Sequence, residues 1–468
     1  MGTYLCLSLA IHYLWEYLLY KLMVGIASAA ICNVLEPISE ETGLTLNVLN
    51  QGTGYTLLSF GWGCLIWQPP ALQFGKRPMY LLPILATLAT QVWTPHTKTN
   101  GQWIANKIMQ GFVGAPIESM CEISVTDISF THERGTYIGL YALLLAGSNS
   151  FVPIIARFIN DSQGWQWVLY WCAIFCDIGF VVLFFFTEET HYVRHTQSQS
   201  TPIPPTQKRQ LKTYANKIKL FQKYDLQKLN QLKGMMNRPL IFLTFPVSFY
   251  PGFSYGSKLV WFNVLNTTAS LILGGTYNFA PNMVGVAYVS PLVDVAIGPA
   301  CTGWLGDWFV IRKARKNNGI IESEHRLWLF TPSRLLILGG LILWGVGAAQ
   351  DIHWLGPGFP MGVIAMTNTF IIQLSIAYCI GYYRAISGEA IITVILVPNT
   401  MSFAIGYGIT PWVTDMGLQN CFITARFVVV LQVCTALFGA QVWEGLRRKS
   451  LARYSKFVEE MARAGIVH

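Results

Sequence analysis

Apolar segments of about 20 residues recur along the whole chain, and they limit its possible folds more than any other feature. An α-helix needs about 20 apolar residues to cross the hydrocarbon core of a bilayer, and it satisfies all its backbone groups there. Six segments precede a polar stretch and six follow it. The pattern therefore predicts an all-α membrane protein with twelve transmembrane helices in two six-helix halves. The segments lie at residues 12–35, 49–69, 79–94, 103–123, 136–155, 167–186, 239–264, 283–305, 330–348, 360–382, 390–410 and 422–443.

Charge content supports the membrane interpretation and excludes other classes. Only 12% of the 468 residues are charged and 53% are hydrophobic, whereas a soluble domain has about 25% charged residues. The net charge of +9 is carried mainly by loops between apolar segments, so we interpret it as a topology signal and not as a nucleic-acid surface. The ten cysteines are scattered without a CxxC pair, which indicates buried thiols. We predict no metal site, no cofactor and no enzyme activity.

The polar stretch in the middle divides the chain. It contains prolines and a run of lysines, which is typical of a solvated linker. We predict a first half at residues 1–187, a basic cytoplasmic linker at 188–238, a second half at 239–445 and a cytoplasmic tail at 446–468. Loops after even-numbered segments are basic, so the positive-inside rule places the linker and both termini in the cytoplasm.

The fourth segment carries two carboxylates near its middle, Glu118 and Glu122. At 100° per residue, they share one helix face with Lys107, Gly111 and Gly114. A charged side chain at bilayer depth costs about 2.5–3.5 kcal/mol on insertion scales, so such residues face a bundle interior or a wet cavity and mark a transport path. The glycines let a neighbouring helix approach closely. We expect the bundle to surround a cavity lined by this face, with Glu118 deeper than Glu122.

Other polar residues inside the apolar segments are weaker candidates, since packing would explain them equally well. The candidates for substrate or proton binding are Asn149, Asp294, Tyr250, Tyr382 and Asn399. Glu16 and Lys21 interrupt the first segment, which indicates either an atypical start or a charged cavity residue. Lys258 is expected near the outer edge, where a lysine extends to the interface. Asn266 begins a glycosylation sequon on the predicted outer side.

Several short motifs occur in a recognisable order: QFGKRPMY after the second segment, WIANKIMQGFVGAPIES in the fourth, THERG after it and SFAIGYGITPW in the eleventh. In the order and spacing of these motifs, the chain resembles the fungal twelve-helix transporters of the major facilitator superfamily, of the drug:proton antiporter type. The resemblance extends from Val24 to Trp443. It implies a multi-pass protein of the plasma membrane, working as a monomer in the lipid bilayer on a small molecule and protons.

The resemblance also implies residues that control opening on the cytoplasmic side. The family's motif after helix 2 matches Gly75 and Arg77, while Leu72 occupies its acidic position. Asp127, at the end of the fourth segment, could pair with Arg77 instead. In the second half, the equivalent motif matches Gly303 and Asp307.

Two further motifs bear on proton coupling. The R-x-x-Q-G motif of helix 4 in proton-coupled members has Lys107 in place of its arginine. Lysine keeps the positive charge but lacks the planar guanidinium group of arginine, which can donate two parallel hydrogen bonds. The antiporter signature of helix 5 is matched by Gly147 and Pro153, without the glycine that would follow the proline. The resemblance therefore implies proton coupling through an altered helix 4 motif.

Together these features predict a secondary active transporter that exports organic cations, drugs or polyamine-like molecules by alternating access. Burial disfavours the ionised form of a carboxylate, so Glu118 or Glu122 would hold a proton and release it when a cation binds. An importer or facilitator of a small molecule is the alternative within this class. A membrane sensor or scaffold without transport activity is the alternative outside it.

Overall fold

The computed structural model describes residues 2–128, 134–187, 232–316, 328–350, 353, 355–382 and 387–463. Within these ranges all regular structure is helical, which confirms the predicted all-α class. The helices of the first half are α1 (Gly2–Ala30), α2 (Leu35–Thr42), α3 (Leu46–Phe74), α4 (Arg77–Trp93), α5 (Asn100–Gly114), α6 (Pro116–Ile128), α7 (Arg134–Gln163) and α8 (Trp165–Phe186). Short 3₁₀ turns, Ile31–Asn33 and Thr94–His96, follow α1 and α4.

The second half begins with a short helix that starts inside the predicted linker. Its helices are α9 (Leu232–Phe242), α10 (Pro246–Ser270), α11 (Pro281–Ala287), α12 (Val289–Lys316), α13 (Phe330–Ala349), α14 (Leu355–Tyr382) and α15 (Ser387–Arg463). A π-helical turn, Leu271–Thr276, extends α10. Gly417 has a φ of 73° and breaks α15 into two helices, residues 387–416 (α15a) and 418–463 (α15b). The order of the helices is consistent with twelve spans.

Helix length and composition agree with a membrane location. By these criteria, five helical stretches in the described residues could cross a bilayer: Trp15–Asn33, Leu143–Gln163, Trp165–Phe186, Gly358–Tyr382 and Gly388–Gln432. Large apolar side chains are exposed along α8, among them Trp167, Ile178 and Phe185. Water-soluble proteins rarely expose a continuous apolar face of this kind, so this surface suits contact with lipid.

The predicted fourth segment consists of two successive helices. α5 ends at Gly114 and α6 begins at Pro116, whose nitrogen has no hydrogen to donate. Ala115 between them keeps right-handed helical angles, with φ −49° and ψ −39°, so the span continues across a local break. The break places Glu118 in the first turn of α6.

Each half has its own buried core. In the first half the core includes Tyr20, Tyr80 and Trp103. In the second half it includes Trp261 and Trp344. A third buried cluster joins the halves, since it groups Cys64 and Ala115 of the first half with Phe242 and Tyr378 of the second.

Another contact between the halves is an antiparallel packing of α3 along α15a. From one end to the other, the paired positions are Asn50 with Thr410, Gly54 with Gly406, Gly61 with Asn399 and Gln68 with Gly388. Asn50 Nδ2 donates to Thr410 Oγ1 at 3.1 Å, and Gln68 Nε2 donates to the carbonyl oxygen of Gly388 at 2.8 Å. A Cβ on Gly61 would lie 2.8 Å from that of Asn399, so a glycine is needed for this close approach.

Candidate functional site

A cavity of about 170 Å³ lies between the two halves. Its wall is formed by α1, α3, α6 and α7 from the first half and by α10, α12, α14 and α15a from the second. Among its polar wall residues are six asparagines and one carboxylate: Asn33, Asn149, Asn263, Asn266, Asn368, Asn399 and Glu118. Aromatic side chains complete the wall, including Phe60, Tyr255 and Phe262. The cavity therefore offers many hydrogen-bonding groups, aromatic faces and one acid.

A second cavity of about 200 Å³ adjoins the first. The two share wall residues: Cys32, Asn33, Thr53, Leu57, Asn263 and Asn266. The second cavity extends to Glu36, Leu46 and Thr414, near the loops that the charge pattern places outside. At the other end of α3, the bond from Gln68 to Gly388 joins the halves. The connected cavities thus continue towards the predicted outer side. On the predicted cytoplasmic side, a hydrogen bond joins the two halves.

Glu118 connects the two halves across the inner cavity. Its Oε2 accepts a hydrogen bond of 2.7 Å from Nδ2 of Asn399. Asn399 is fully buried, and its Nδ2 also donates to the carbonyl oxygen of Ile395 at 3.0 Å. Two of the sequence candidates, one from each half, thus meet in one hydrogen bond on the cavity wall.

Two further charged residues are buried next to Glu118. Glu122 lies one helical turn further along α6 and is 5% exposed, while Lys21 on α1 is fully buried. Lys21 and the two glutamates lie on α1 and α6, two helices that pack against each other. Neither Lys21 nor Glu122 lines either cavity. Lys21 is therefore buried inside the bundle, on a helix that packs against the one carrying both acids.

Lys107 lies in the interior of the first half and not on the cavity wall. Its Nζ donates to Gln110 Oε1 at 2.7 Å and lies 4.6 Å from the centre of the Trp103 ring. The adjacent glycine, Gly111, faces the carbonyl oxygen of Thr56 on α3, where a Cβ would collide. The small residues of the helix face thus allow the close helix contact that the sequence predicts.

The remaining substrate candidates are in different places. Asn149, on α7, is on the cavity wall. Tyr250 lies outside the cavity, and the centre of its ring is 6.3 Å from that of Phe330. The ring centres of Tyr382 and Tyr454 are 6.2 Å apart. Asp294 is half-buried on α12 and faces Gly362 of α14. The geometry therefore brings Glu118, Asn149 and Asn399 together on the cavity wall. Tyr250, Tyr382 and Asp294 lie elsewhere.

The residues assigned to gating lie at the predicted cytoplasmic ends of helices. Gly75 has a φ of 109° and ends α3, a conformation that favours glycine. Arg77 is 1% exposed, and its Nη2 donates to the carbonyl oxygen of Phe184 on α8 at 2.7 Å. Asp127, Gly303 and Asp307 belong to α6 and α12. The Asp127 and Asp307 side chains lie outside what the structure describes, so the expected pairing of Arg77 with Asp127 stays a prediction.

Several wall residues are not among the sequence candidates. They are Asn263, Asn266, Tyr288 and Asn368. Asn266, noted above only for its sequon, accepts a hydrogen bond from the Tyr288 hydroxyl at 3.2 Å through Oδ1. The recurrence of asparagine in apolar segments was the available signal, because a polar amide in a membrane helix requires a partner or a wet surface.

A bundle of apolar helices in two halves, with a polar cavity between them, is the architecture of a multi-pass membrane transporter. The sequence model of the Major Facilitator Superfamily matches residues 18–388. The chain belongs to this superfamily.

Its relatives are fungal transporters of the same superfamily. An uncharacterised MFS-type transporter of Schizosaccharomyces pombe is 25% identical, over 95% of this chain and 86% of the relative. Protein HOL1 of Saccharomyces cerevisiae is 22% identical, over 84% of this chain and 79% of that protein. The multidrug transporter FLU1 of Candida albicans is 23% identical, over 73% of this chain and 57% of that protein.

A solved structure has the same fold. The human organic anion transporter MFSD10 (TETRAN) matches with a TM-score of 0.54 and 12% identity, over 91% of this chain and 99% of that chain. At this identity the match supports the fold alone.

Proposed function

We propose that this protein exports organic cations, drugs or polyamine-like small molecules in exchange for protons. The observation that carries the proposal is the position of Glu118, on the cavity wall and bonded to Asn399 of the other half. A carboxylate there can hold either a proton or a cationic substrate. Competition of the two for one group is the simplest form of antiport.

The shape of the cavity suits alternating access, in which two halves rock around a central site. In the conformation described here, the space extends towards the predicted outer loops, and the contact of Gln68 with Gly388 bridges the halves on the other side. Opening towards the cytoplasm would separate Gln68 from Gly388. The bond between Glu118 and Asn399 crosses the same boundary, so proton or substrate binding there is coupled to the movement.

The wall chemistry favours a cation with apolar parts. Aromatic faces such as those of Tyr255 and Phe262 attract organic cations, and the asparagines supply carbonyl oxygens as acceptors. FLU1 is described as a multidrug transporter, which agrees with such a substrate range. We place the protein in the plasma membrane as a monomer, with the linker at 188–238 and both termini in the cytoplasm.

The other assigned residues have supporting roles in this proposal. Gly75 and Arg77, with Asp127, Gly303 and Asp307, shape the cytoplasmic ends that must separate. Lys107 supports the packing of α5 on α3. Import or facilitated diffusion through the same cavity is the alternative direction.

The test uses purified protein in liposomes that contain a trapped pH dye, with an imposed proton gradient. Organic cations, polyamines and neutral drugs are added singly, and the wild type is compared with Glu118→Gln and Asp294→Asn. We expect proton flux in response to a cation, its loss in Glu118→Gln and its retention in Asp294→Asn. The direction of substrate movement against the gradient separates antiport from import. If protein shown to be folded stays silent across the panel, the sensor alternative replaces the proposal.

A further inference from the structure

A buried arginine, Arg157 on α7, lines the outer cavity. It is 7% exposed. A Cβ on Gly285 of α11 would lie 3.0 Å from Arg157 Cγ, so the aliphatic part of the side chain packs against this helix. At its end, Nη2 donates a hydrogen bond of 2.7 Å to Ser270 Oγ on α10. These two contacts hold the guanidinium in place at the cavity wall.

The positive charge of Arg157 has no acidic partner among the described residues. Its one hydrogen-bond partner there is Ser270, and no ion pair joins it to Glu36 on the same wall or to Asp161, one turn further along α7. A guanidinium stays charged, and a buried charge is costly unless a counter-ion compensates it. The guanidinium has five N–H groups in all, so it can donate further hydrogen bonds to an anion that enters the cavity.

The inner and outer cavities share wall residues, so one elongated molecule can occupy both. Asn149 and Pro153 of α7 line the inner cavity, together with Glu118 of α6, whereas Arg157 lines the outer one. Arg157 is eight residues after Asn149, which is about 12 Å along the helix axis. The guanidinium therefore lies further out along the connected cavities than the inner wall that carries the acid.

The charges on the described cavity walls are few and differ in exposure. They belong to Glu118, Glu36 and Arg157. Glu36 is exposed, whereas Glu118 is half-buried and Arg157 is buried. The two charged groups that are shielded from solvent thus have opposite signs. A molecule with a cationic end and an anionic end is complementary to this arrangement.

We propose that Arg157 forms a second subsite, which binds a carboxylate at the far end of a cationic substrate. The favoured substrates are then zwitterions, with the cationic group at Glu118 and the carboxylate at Arg157. A guanidinium can donate two parallel hydrogen bonds to a carboxylate, which a neutral group of the same shape cannot match. This inference rests on the proposed role of Glu118 and adds the chemistry of the rest of the substrate.

The test compares quaternary ammonium compounds that differ in one group. (8-Carboxyoctyl)trimethylammonium is long enough to contact both subsites, and its carboxamide has the same shape without the acid. The corresponding 3-carboxypropyl compounds form a short pair that cannot extend from Glu118 to Arg157. Proteoliposomes with an acidic lumen and a trapped pH dye report uptake and proton movement together, at substrate concentrations below saturation.

The variants change the charge or the geometry of the subsite. Arg157→Gln removes the charge and keeps a donor for Ser270, whereas Arg157→Lys keeps the charge without the planar guanidinium. Arg334→Met is the matched control, because it removes a buried arginine that lines neither cavity.

We expect the wild type and Arg334→Met to take up the long carboxylate about tenfold or more faster than its amide. For the short pair the two rates are about equal, since neither compound reaches Arg157. In Arg157→Gln the preference for the long carboxylate falls to about one, while uptake of the long amide stays within about threefold of the wild type. Arg157→Lys retains part of the preference, because the charge remains.

The outcomes separate this inference from the proposed function. If folded wild type moves no cation in exchange for protons, the proposed function is wrong and the subsite falls with it. If it exchanges other organic cations but takes up the long carboxylate no faster than the amide, the subsite alone is wrong. An unchanged preference in folded Arg157→Gln has the same meaning.

The short pair guards against two other results. An equal preference for the short carboxylate contradicts the subsite, because it indicates attraction at a distance and not contact with Arg157. If Arg157→Gln does not fold, the difference between the long and the short pair in the wild type decides the test.

Discussion

Both halves of the molecule bury charged side chains, but they use them differently. In the first half, Glu118, Glu122 and Lys21 lie on two helices that pack together, and Glu118 opens onto the cavity. In the second half, Lys258 and Arg334 are fully buried and line neither cavity. A buried charge in a membrane helix is by default a sign of a transport path. If Glu118 acts as proposed, access to the cavity, and not burial alone, separates a transport group from a packing group.

Arg334 illustrates the packing role. Its Nη2 donates to Ser254 Oγ at 2.9 Å on α10, and its Nη1 donates to the carbonyl oxygen of Gln432 at 2.5 Å on α15b. The Arg334 guanidinium also lies 5.9 Å from the centre of the Tyr250 ring. These contacts tie α13 to two neighbouring helices. The aromatic residue Tyr250, a substrate candidate from the sequence, therefore belongs to this packing cluster.

The largest effect is expected at the cavity acid. Glu118→Gln keeps the shape and an acceptor for Asn399 but cannot ionise, so it loses the charge that binds a cation. A hydrogen bond or contact to a charged group contributes about 1.5–3 kcal/mol, which corresponds to roughly 10- to 100-fold in transport rate. Initial rates in proteoliposomes measure the change, normalised to folded protein. An equal loss in Asp294→Asn would remove the distinction between cavity and non-cavity acids.

The second effect is on stability and lies in the other half. Arg334→Met removes two donors and leaves a buried carbonyl and a hydroxyl without them, at a cost of about 1–3 kcal/mol. Thermal unfolding in detergent should show a lower Tm. Transport per folded molecule should stay within about threefold, because a residue away from the cavity affects binding only through packing. A specific loss of transport with an unchanged Tm would instead make Arg334 part of the mechanism.

A smaller effect is expected where the two halves meet. Asn399→Ala removes the donor to Glu118 and one hydrogen bond across the boundary. A net hydrogen bond contributes about 0.5–1.5 kcal/mol, so transport should fall by roughly three- to tenfold. Asn420→Ala is the matched control, since Asn420 is an exposed asparagine on α15b. Equal rates for the two variants would show that the contact across the halves does not contribute to the cycle.

The sequence predicted those features that depend on composition along one helix. Apolar length gave the helical membrane class, and charge within an apolar segment singled out Glu118. The small residues near it indicated a close neighbour, which is α3 at Thr56. Each of these signals is local, because a helix of known period fixes which residues share a face.

Features that depend on which helices become neighbours were not predictable in this way. Asn263 and Asn368 reach the cavity only because α10 and α14 turn these faces towards α3 and α6. From the sequence, Lys21 fits an atypical first segment and a buried charge equally well. The packing of α1 against α6 distinguishes the two. Tyr250 and Tyr382 are of a residue type that suits a binding site, but their side chains pack against other aromatic rings.

Lys258 shows the same limit and gives the smallest expected effect. The sequence predicts a lysine that extends to the outer interface, and this is wrong: the side chain is fully buried within the second half. Its Nζ has no hydrogen-bond partner among the described residues.

A buried ammonium without an acceptor is unfavourable, so Lys258→Met should leave the Tm unchanged or raise it, by at most about 1 kcal/mol in stability. Transport should be unchanged within about twofold, since surrounding packing is kept by a side chain of similar length. Thermal unfolding and initial rates measure both. A large loss of transport in folded Lys258→Met would place a second functional charge in the second half, and the contrast between the halves would no longer hold.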